Sequence, residues 1–328
     1  LAKKWKSELA RCGFPKVVII ILNWNNAADT LACLESVFRS DYPNFQVLVV
    51  DNGSTDGSPE AVRAAYPTVT LIENGANLGY AEGNNVGIRH ALAHGADYVL
   101  LLNNDTLVAP DMLAKLLAVA EADAQIGIVG PLICYYDPPD VVWNAGNAID
   151  WQEGNVMNLR GDESCDKVGT QPYAVDYVSG CALCIRRSVV EQVGLLDARF
   201  FIYYEETDWC VRTRRAGYIV MMVPGARIWH KVSSTMGIAS PPTTYYMTRN
   251  QFLFYARHTR GLARAALLSR LLLRELRTLA AHSLKPCHRH LWRSRDARLL
   301  ALRDALLGRW GRMGPDVARV CYPRTSAA

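Results

Sequence analysis

Three runs of polar residues stand where apolar runs stop. Asn103–Asn104–Asp105 follows Tyr98–Leu102, Asn23–Trp24–Asn25–Asn26 follows Val17–Leu22, and Asp51–Asn52–Gly53 follows Phe45–Val50. A short run rich in Val, Ile and Leu reads as a strand buried on both faces. In an open α/β sheet, ligands sit beyond the carboxyl ends of the strands. One polar strand end is an ordinary turn. Three on one edge of one sheet describe a polar ligand site. A carboxylate there, such as Asp105, can hold a hard divalent cation that also binds phosphate oxygens. A second group is Glu205–Glu206–Thr207–Asp208, flanked by Phe200–Tyr204 and Trp209. The helix dipole accounts for one or two acids at a helix start. Three acids beside aromatics point further, to a carboxylate whose pKa is raised toward a general base's working range.

The elements that must position these groups alternate. Strands are expected at Val17–Leu22, Phe45–Val50, Val69–Ile72 and Tyr98–Leu102. Helices are expected between them, over Ala27–Ser40, from the Ser58-Pro59-Glu60 start, and over Gly79–His94. Serine followed by proline is a good helix start. Such alternation implies an α/β fold, a mostly parallel sheet with helices on both faces. Further on come a helix over residues 111–123, a strand from Ile126 to Tyr136, and a glycine-rich loop or hairpin from Trp143 to Gly169. Then follow a strand at Ala174–Val178, a capping box at Ser188 and Glu191, and a strand at Tyr218–Val223 with Trp229-His230 after a short turn. The turn after the first strand lacks G-x-G-x-x-G, and no G-x-x-x-x-G-K-S/T loop exists. A nucleotide would therefore be held by carboxylates, amides and a metal.

The 328 residues are half hydrophobic, enough for a large core. The net charge of +5 conceals an asymmetry, for residues 257–328 hold 16 Lys and Arg against 4 Asp and Glu. An acidic body thus carries a basic tail. Nothing reads as a base-stacking or base-reading motif, so nucleic acid ranks last among partners. Nine cysteines are scattered without a disulfide-like framework, which favours a reduced, cytosolic-side compartment. Cys181-Ala182-Leu183-Cys184 lacks the second pair that a structural zinc wants, so these cysteines are expected in the core. No stretch is long and apolar enough to span a bilayer. Over Arg260–Leu279, Arg260, Arg264, Arg270, Arg274 and Arg277 share one helical face. Leu262, Leu268, Leu272, Leu273, Leu276 and Leu279 take the other, while Leu267 and Leu271 fall on the basic side. A second such segment runs from Leu291 to Leu307. A packed hairpin and attachment to an anionic membrane through 260–307 both fit, and the charge asymmetry favours the membrane.

Assembled in order, these stretches resemble the family 2 glycosyltransferases, which have the GT-A nucleotide-sugar-binding fold. The resemblance covers Lys16 to Arg257 and rests on Val18–Asn26, Val49–Gly57, Asn77–Gly87, Leu101–Thr106, Val178–Arg187 and Phe200–Arg212. Within the family the chain is most similar to the rhamnosyltransferase-like branch, which carries N-L-G-x-A-x-G-N-N and an N-N-D form of D-x-D. The resemblance implies an inverting hexosyltransferase that uses dTDP-L-rhamnose or another nucleotide-sugar. Its acceptor would be a glycan or polyprenyl-linked sugar in bacterial surface polysaccharide synthesis, on the inner, cytoplasmic face of the cell membrane. It implies donor contacts at Asn23, Asn25, Asp51, Asn52, Asn77, Gly79, Asn84, Asn103, Asn104 and Asp105. Mg²⁺ or Mn²⁺ would sit at Asp105 with Asn103 and His230. Glu206 is the expected base, with Glu205 and Asp208 beside it, and Ser179, Gly180 and Trp209 are expected on the acceptor side. Asn103 departs from the commonest D-x-D form and removes one charge from the metal site. The rival is a catalytically silent nucleotide-sugar-binding or scaffold protein, against which stands the intact acidic group at 205–208. The expected division is an arm at 1–15, a GT-A catalytic domain at 16–256, C-terminal amphipathic helices at 257–328. The oligomeric state is not legible.

Overall fold

A computed structural model describes residues 13–232, 240–284 and 286–322. The first part alternates as expected: β1 (Val17–Asn23), α1 (Ala27–Phe38), β2 (Phe45–Asp51), α2 (Ser58–Ala65), β3 (Thr70–Glu73), α3 (Gly79–Ala93) and β4 (Tyr98–Asn103). β1 is the centre of this half. It pairs in parallel with both β2 and β4, with Ile21 opposite Val49 and Leu102. A strand with helices over both faces cannot show a polar side to water, which is why its sequence is an unbroken apolar run.

The sheet continues through β5 (Thr106–Val108), which leads into helix α4 (Met112–Ala120), then β6 (Ile126–Tyr135), β7 (Val142–Asn144), β10 (Tyr173–Ala174), β11 (Ala182–Arg186) and β12 (Ile219–His230). Its main path is β10-β12-β6-β11-β4-β1-β2-β3, with β5 on β12 and β7 on β6. β11 runs antiparallel to both β4 and β6, so the sheet is mixed. A separate hairpin pairs β8 (Asn147–Asp150) with β9 (Asn155–Asn158), inside the segment read as a loop or hairpin.

Several expectations need correction. The strand expected over Ala174–Val178 is only Tyr173–Ala174, because the chain then crosses to bridge Asn147 through Tyr177. The helix expected to be capped by Ser188 starts two residues earlier, as α5 (Arg187–Val193) with Arg186 at the cap position, and has no side-chain cap. Trp229-His230 does not follow a turn, since β12 runs continuously from Ile219 to His230. Its register on β6 shifts between Val223 and Arg227, and this irregularity carries the strand past Pro224 and Gly225. Cys134 and Cys165, read as part of a reduced set, form a disulfide. They lie 31 residues apart, and the pairing of β6 with β7 brings that segment back, so their spacing carried no signal. Cys181 and Cys184 are free and buried, as expected of core cysteines.

The described residues form two compact units. The first holds residues 13–148, Met157–Leu196 and Glu206–Val232. Its core fills both faces of the sheet, with Ile19, Ile21, Leu100 and Leu102 on one face and Ile20 and Leu101 on the other, all fully or almost fully buried. Glycine matters where α3 lies on the sheet. A Cβ on Gly87 would fall 2.7 Å from Ile20 Cγ2, and one on Gly83 would fall 2.7 Å from Leu22 Cδ1. The glycines of N-L-G-Y-A-E-G-N-N-V-G therefore let this helix approach β1 closely.

The second unit holds Ile149–Val156, Asp197–Glu205 and the C-terminal helices α7 (Pro241–His258), α8 (Gly261–Leu284), α9 (Trp292–Leu306) and α10 (Pro315–Cys321). Tyr245, Tyr246, Ala297, Ala301, Val317 and Cys321 make its core. α8 turns inward the side that carries Leu267 and Leu271, the two leucines that interrupt the basic face. Both pack on Gly154, and Arg274 donates to Asn155 Oδ1 at 2.5 Å. Leu262, Leu273 and Leu276 face solvent instead. Among the described residues, no helix is long and apolar enough to cross a membrane.

Candidate active site

The three polar strand ends form one network at the carboxyl edge. Asp51, only 2 % exposed, accepts from Gly53 N at 3.0 Å and Ser54 N at 2.8 Å, and also from Ser54 Oγ and Asn23 Nδ2. Asn23 in turn accepts from Thr30 Oγ1 at 2.8 Å and Asn104 Nδ2 at 3.2 Å. Asn25, exposed and with φ of 50°, accepts from Thr55 N at 2.7 Å. Asn52 is buried and ties β2 to the start of α3, donating to Gly79 O at 3.0 Å and accepting from Asn74 Nδ2 at 2.9 Å. Asn77 accepts from Gly79 N, and Asn84 donates back to Tyr80 O. The structure thus brings Asn23, Asn25, Asp51 and Asn104 together. It spends the side chains of Asn52, Asn77 and Asn84 on shaping the loop around Gly79.

Asp105 lies just past β4, and the chain turns there into β5. β5 pairs with the end of β12, with Thr106 opposite His230. That pairing places His230 Nε2 3.2 Å from Asp105 Oδ1, both nearly buried. The other ring nitrogen of His230 is buried with no hydrogen-bond partner among the described residues, and the ring stands edge-on to Trp143. Asn103 lies partly exposed beside them at the strand end. Among the described residues no group of three His, Cys, Asp or Glu converges. One carboxylate, one imidazole and one amide remain. That set suits a hard divalent ion which takes much of its shell from water and a diphosphate.

The acidic group is joined to this edge through β11. Asn103 N donates to Cys181 O at 2.9 Å, so the Ser179–Gly180 loop leaves the sheet beside Asn103. Tyr80, in the first turn of α3, donates its hydroxyl to Gly180 O. Glu206 lies against the same face of Gly180: a Cβ at position 180 would sit 3.3 Å from Tyr80 Oη and 3.5 Å from Glu206 Cβ and Cγ. Glu206 stands in the first turn of α6 (Glu205–Arg215). As a residue it is partly exposed, yet its Oε2 is sealed from solvent and has no hydrogen-bond partner among the described residues. Burial raises its pKa above the ordinary glutamate range, and the backbone N–H groups of Glu206, Thr207 and Gly180 offset part of that rise. An enclosed carboxyl with one idle oxygen can accept a proton from a hydroxyl.

The neighbouring acids do other things. Asp208 is fully buried and paired with Arg212 Nε at 2.8 Å, and Arg212 also donates to Leu195 O. Glu205 is 3 % exposed. Trp209, expected on the acceptor side, is fully buried and donates Nε1–H to Gly194 O at 2.8 Å, so it holds the core and reaches no surface. Sequence reasoning missed Tyr80. The signal was its place in N-L-G-Y-A-E-G, but no local pattern links position 80 to position 180.

The fold and this edge define a GT-A glycosyltransferase. The profile of glycosyl transferase family 2 matches residues 18–194, and the chain belongs to that family. It is a glycosyltransferase. It is 31% identical over 240 residues to the N-acetylglucosaminyl-diphospho-decaprenol L-rhamnosyltransferase of Mycobacterium tuberculosis, covering 67% of this chain and 78% of that one. It is 25% identical over 252 residues to the dTDP-rhamnosyl transferase RfbF of Shigella flexneri, covering 72% and 79%. Among solved structures it resembles a mannosyltransferase from Pyrobaculum calidifontis, determined in complex with GDP-Man and Mn²⁺. The TM-score is 0.57 at 19% identity, over 94% of this chain and 93% of that one, a likeness of fold.

Proposed function

We propose that the chain moves L-rhamnose from dTDP-L-rhamnose to a sugar carried on a polyprenyl diphosphate, with inversion at the anomeric carbon. The product would belong to a bacterial surface polysaccharide or its lipid-linked precursor. The mycobacterial and Shigella relatives, matched over more than three quarters of their lengths, support donor and acceptor. The observation that carries the mechanism is the enclosed Glu206 carboxyl beside Gly180. Glu206 takes the proton of the acceptor hydroxyl as that oxygen attacks the anomeric carbon, and the bond to the donor diphosphate breaks in the same displacement. With one base and no covalent intermediate, the configuration inverts.

Asp105 and His230, with Asn103, would hold Mg²⁺ or Mn²⁺. When bound, the ion neutralises charge on the leaving diphosphate. The strand-end network of Asn23, Asp51 and Asn104 keeps the donor side rigid and its backbone N–H groups fixed.

We assign the peripheral membrane contact to 260–307, on the inner face of the cell membrane. Exposed Leu262, Leu273 and Leu276 lie among exposed Arg264 and Arg277, a combination that suits an anionic lipid surface. The full chain should pellet with anionic vesicles at low salt, and Leu273→Ser with Leu276→Ser should weaken this. Equal pelleting by both would remove the leucine face from the proposal.

The test of the reaction is release of dTDP from dTDP-L-rhamnose with a polyprenyl-diphosphate-linked N-acetylglucosamine acceptor. Turnover should vanish in EDTA and in Asp105→Ala. In Glu206→Gln it should fall by about 10²–10⁴-fold with donor affinity retained. Near wild-type turnover by Glu206→Gln would falsify the base assignment.

A further inference from the structure

The chain reaches Glu205 and Glu206 through a loop that its own residues should resist. Phe201, Tyr203 and Tyr204 have φ of 66°, 70° and 75°. Bulky side chains rarely adopt this left-handed region. Phe201, with ψ of −57°, is the centre of a tight three-residue turn closed by Ile202 N donating to Phe200 O at 2.8 Å. Turns of this hand are rare and strained. No glycine relieves the strain, so something else must impose the conformation.

That something is a pair of fully buried residues on α7. Asn250 Nδ2 donates to Phe200 O at 2.8 Å, Ile202 O at 2.8 Å and Tyr203 O at 2.9 Å. Arg249 donates to Asn250 Oδ1 from Nε at 3.1 Å and Nη2 at 2.9 Å, fixing which way the amide faces. Arg249 also donates to Phe200 O at 3.3 Å and Gly311 O at 2.7 Å. Its guanidinium lies over the rings of Tyr245, Tyr246 and Trp310. Phe201 stacks on Tyr246. One amide thus gathers three carbonyls of one short loop, and an immobilised arginine holds the amide.

We infer that Asn250, oriented by Arg249, is a positioning residue for the base, clamping the Phe200–Tyr204 loop in the left-handed path that sets where α6 starts. Tyr204 is one peptide bond from Glu205 and two from Glu206, so the loop backbone fixes the origin and direction of the helical turn carrying the carboxyl. A polar contact to the donor is not required of Asn250, and none is assigned to it. This inference rests on Glu206 being the base.

The experiment compares Asn250→Ala, Glu206→Gln and the double variant Asn250→Ala with Tyr203→Gly. Each is assayed for dTDP release in the presence of acceptor and, by calorimetry, for dTDP binding. For Asn250→Ala the expected result is a fall in kcat of about 10²-fold, the scale of a displaced reacting group, with dTDP affinity unchanged. The glycine, which takes positive φ without cost, should restore part of that kcat. Unchanged kcat in Asn250→Ala beside an inactive Glu206→Gln overturns the positioning role and leaves the base in place. A parallel loss of kcat and dTDP affinity, with no recovery from the glycine, also overturns it, since that is damage to the fold. An active Glu206→Gln overturns the base itself.

Discussion

The donor edge and the loop before the base solve the same problem in opposite ways. At the donor edge, Asn23, Thr30, Asp51, Ser54 and Asn104 satisfy one another with hydrogen bonds. Only Asn25 there takes a left-handed backbone without being glycine, and asparagine tolerates it. Before the base, three aromatic residues sit in that region, at a cost of about 1–3 kcal/mol each. The two amide N–H groups of Asn250, shared among the three carbonyls, return about 0.5–1.5 kcal/mol each. They do not cover the strain alone, and stacking of Phe201 on Tyr246 and burial of Tyr204 must supply the rest. A rigid charge-binding edge can be built from local polar residues. A carboxyl held in an enclosed place needs backbone forced there by another part of the chain.

The comparison can be broken at several points. The largest effect belongs to Glu206→Gln, with its loss of turnover and retained donor binding. Next is Asp51→Ala, which leaves Gly53 N and Ser54 N without their acceptor. We expect a loss of about 2–4 kcal/mol in stability, read as a lower urea midpoint with unchanged slope, together with loss of donor binding. If Asp51→Ala unfolds no more easily than wild type, the edge is not the closed network described. Tyr80→Phe removes one hydrogen bond to Gly180 O, worth about 0.5–1.5 kcal/mol. Its kcat should fall by about three- to tenfold, with donor affinity retained. A change in donor affinity alone would instead assign Tyr80 to the donor side.

The smallest effect is on the pH dependence of stability. Glu206 has a folded pKa raised by burial above its ordinary 4.5. The folded state therefore holds its proton at pH values where the unfolded chain has released it. Folding stability should fall as pH rises from that ordinary value through the raised one. Glu206→Gln removes the ionisable group, so its melting temperature should exceed the wild type's above this window and match it more closely below. An equal gap at pH 4 and pH 8 would mean that the carboxyl is not desolvated.

Much of the catalytic fold was legible because its signals are local. Apolar runs of strand length mark β1, β2 and β4, and polar residues at their ends mark the ligand edge. The carboxyl-edge rule then places Asn23, Asp51 and Asp105 together without knowledge of any contact. The acids at 205–208 could be found the same way, and the family resemblance singled out Glu206 among them. Asp208 belongs to Arg212 and Trp209 to the core, and only packing shows it. In the same way, the leucines of α8 that read as misplaced, Leu267 and Leu271, are the ones that pack inward.

Residues near one another in the chain were enough for the α/β alternation, the strand-end ligand edge and the acidic group, while the glycosyltransferase class came from the resemblance of six such stretches, in order and spacing, to a known family. Tertiary structure alone decided three things. It brought Tyr80 to Gly180 across one hundred positions. It joined Cys134 to Cys165, and set Asn250 under the loop before Glu206. Each is a contact between distant segments, and its partner is chosen by strand register, close packing and the need to satisfy buried polar groups.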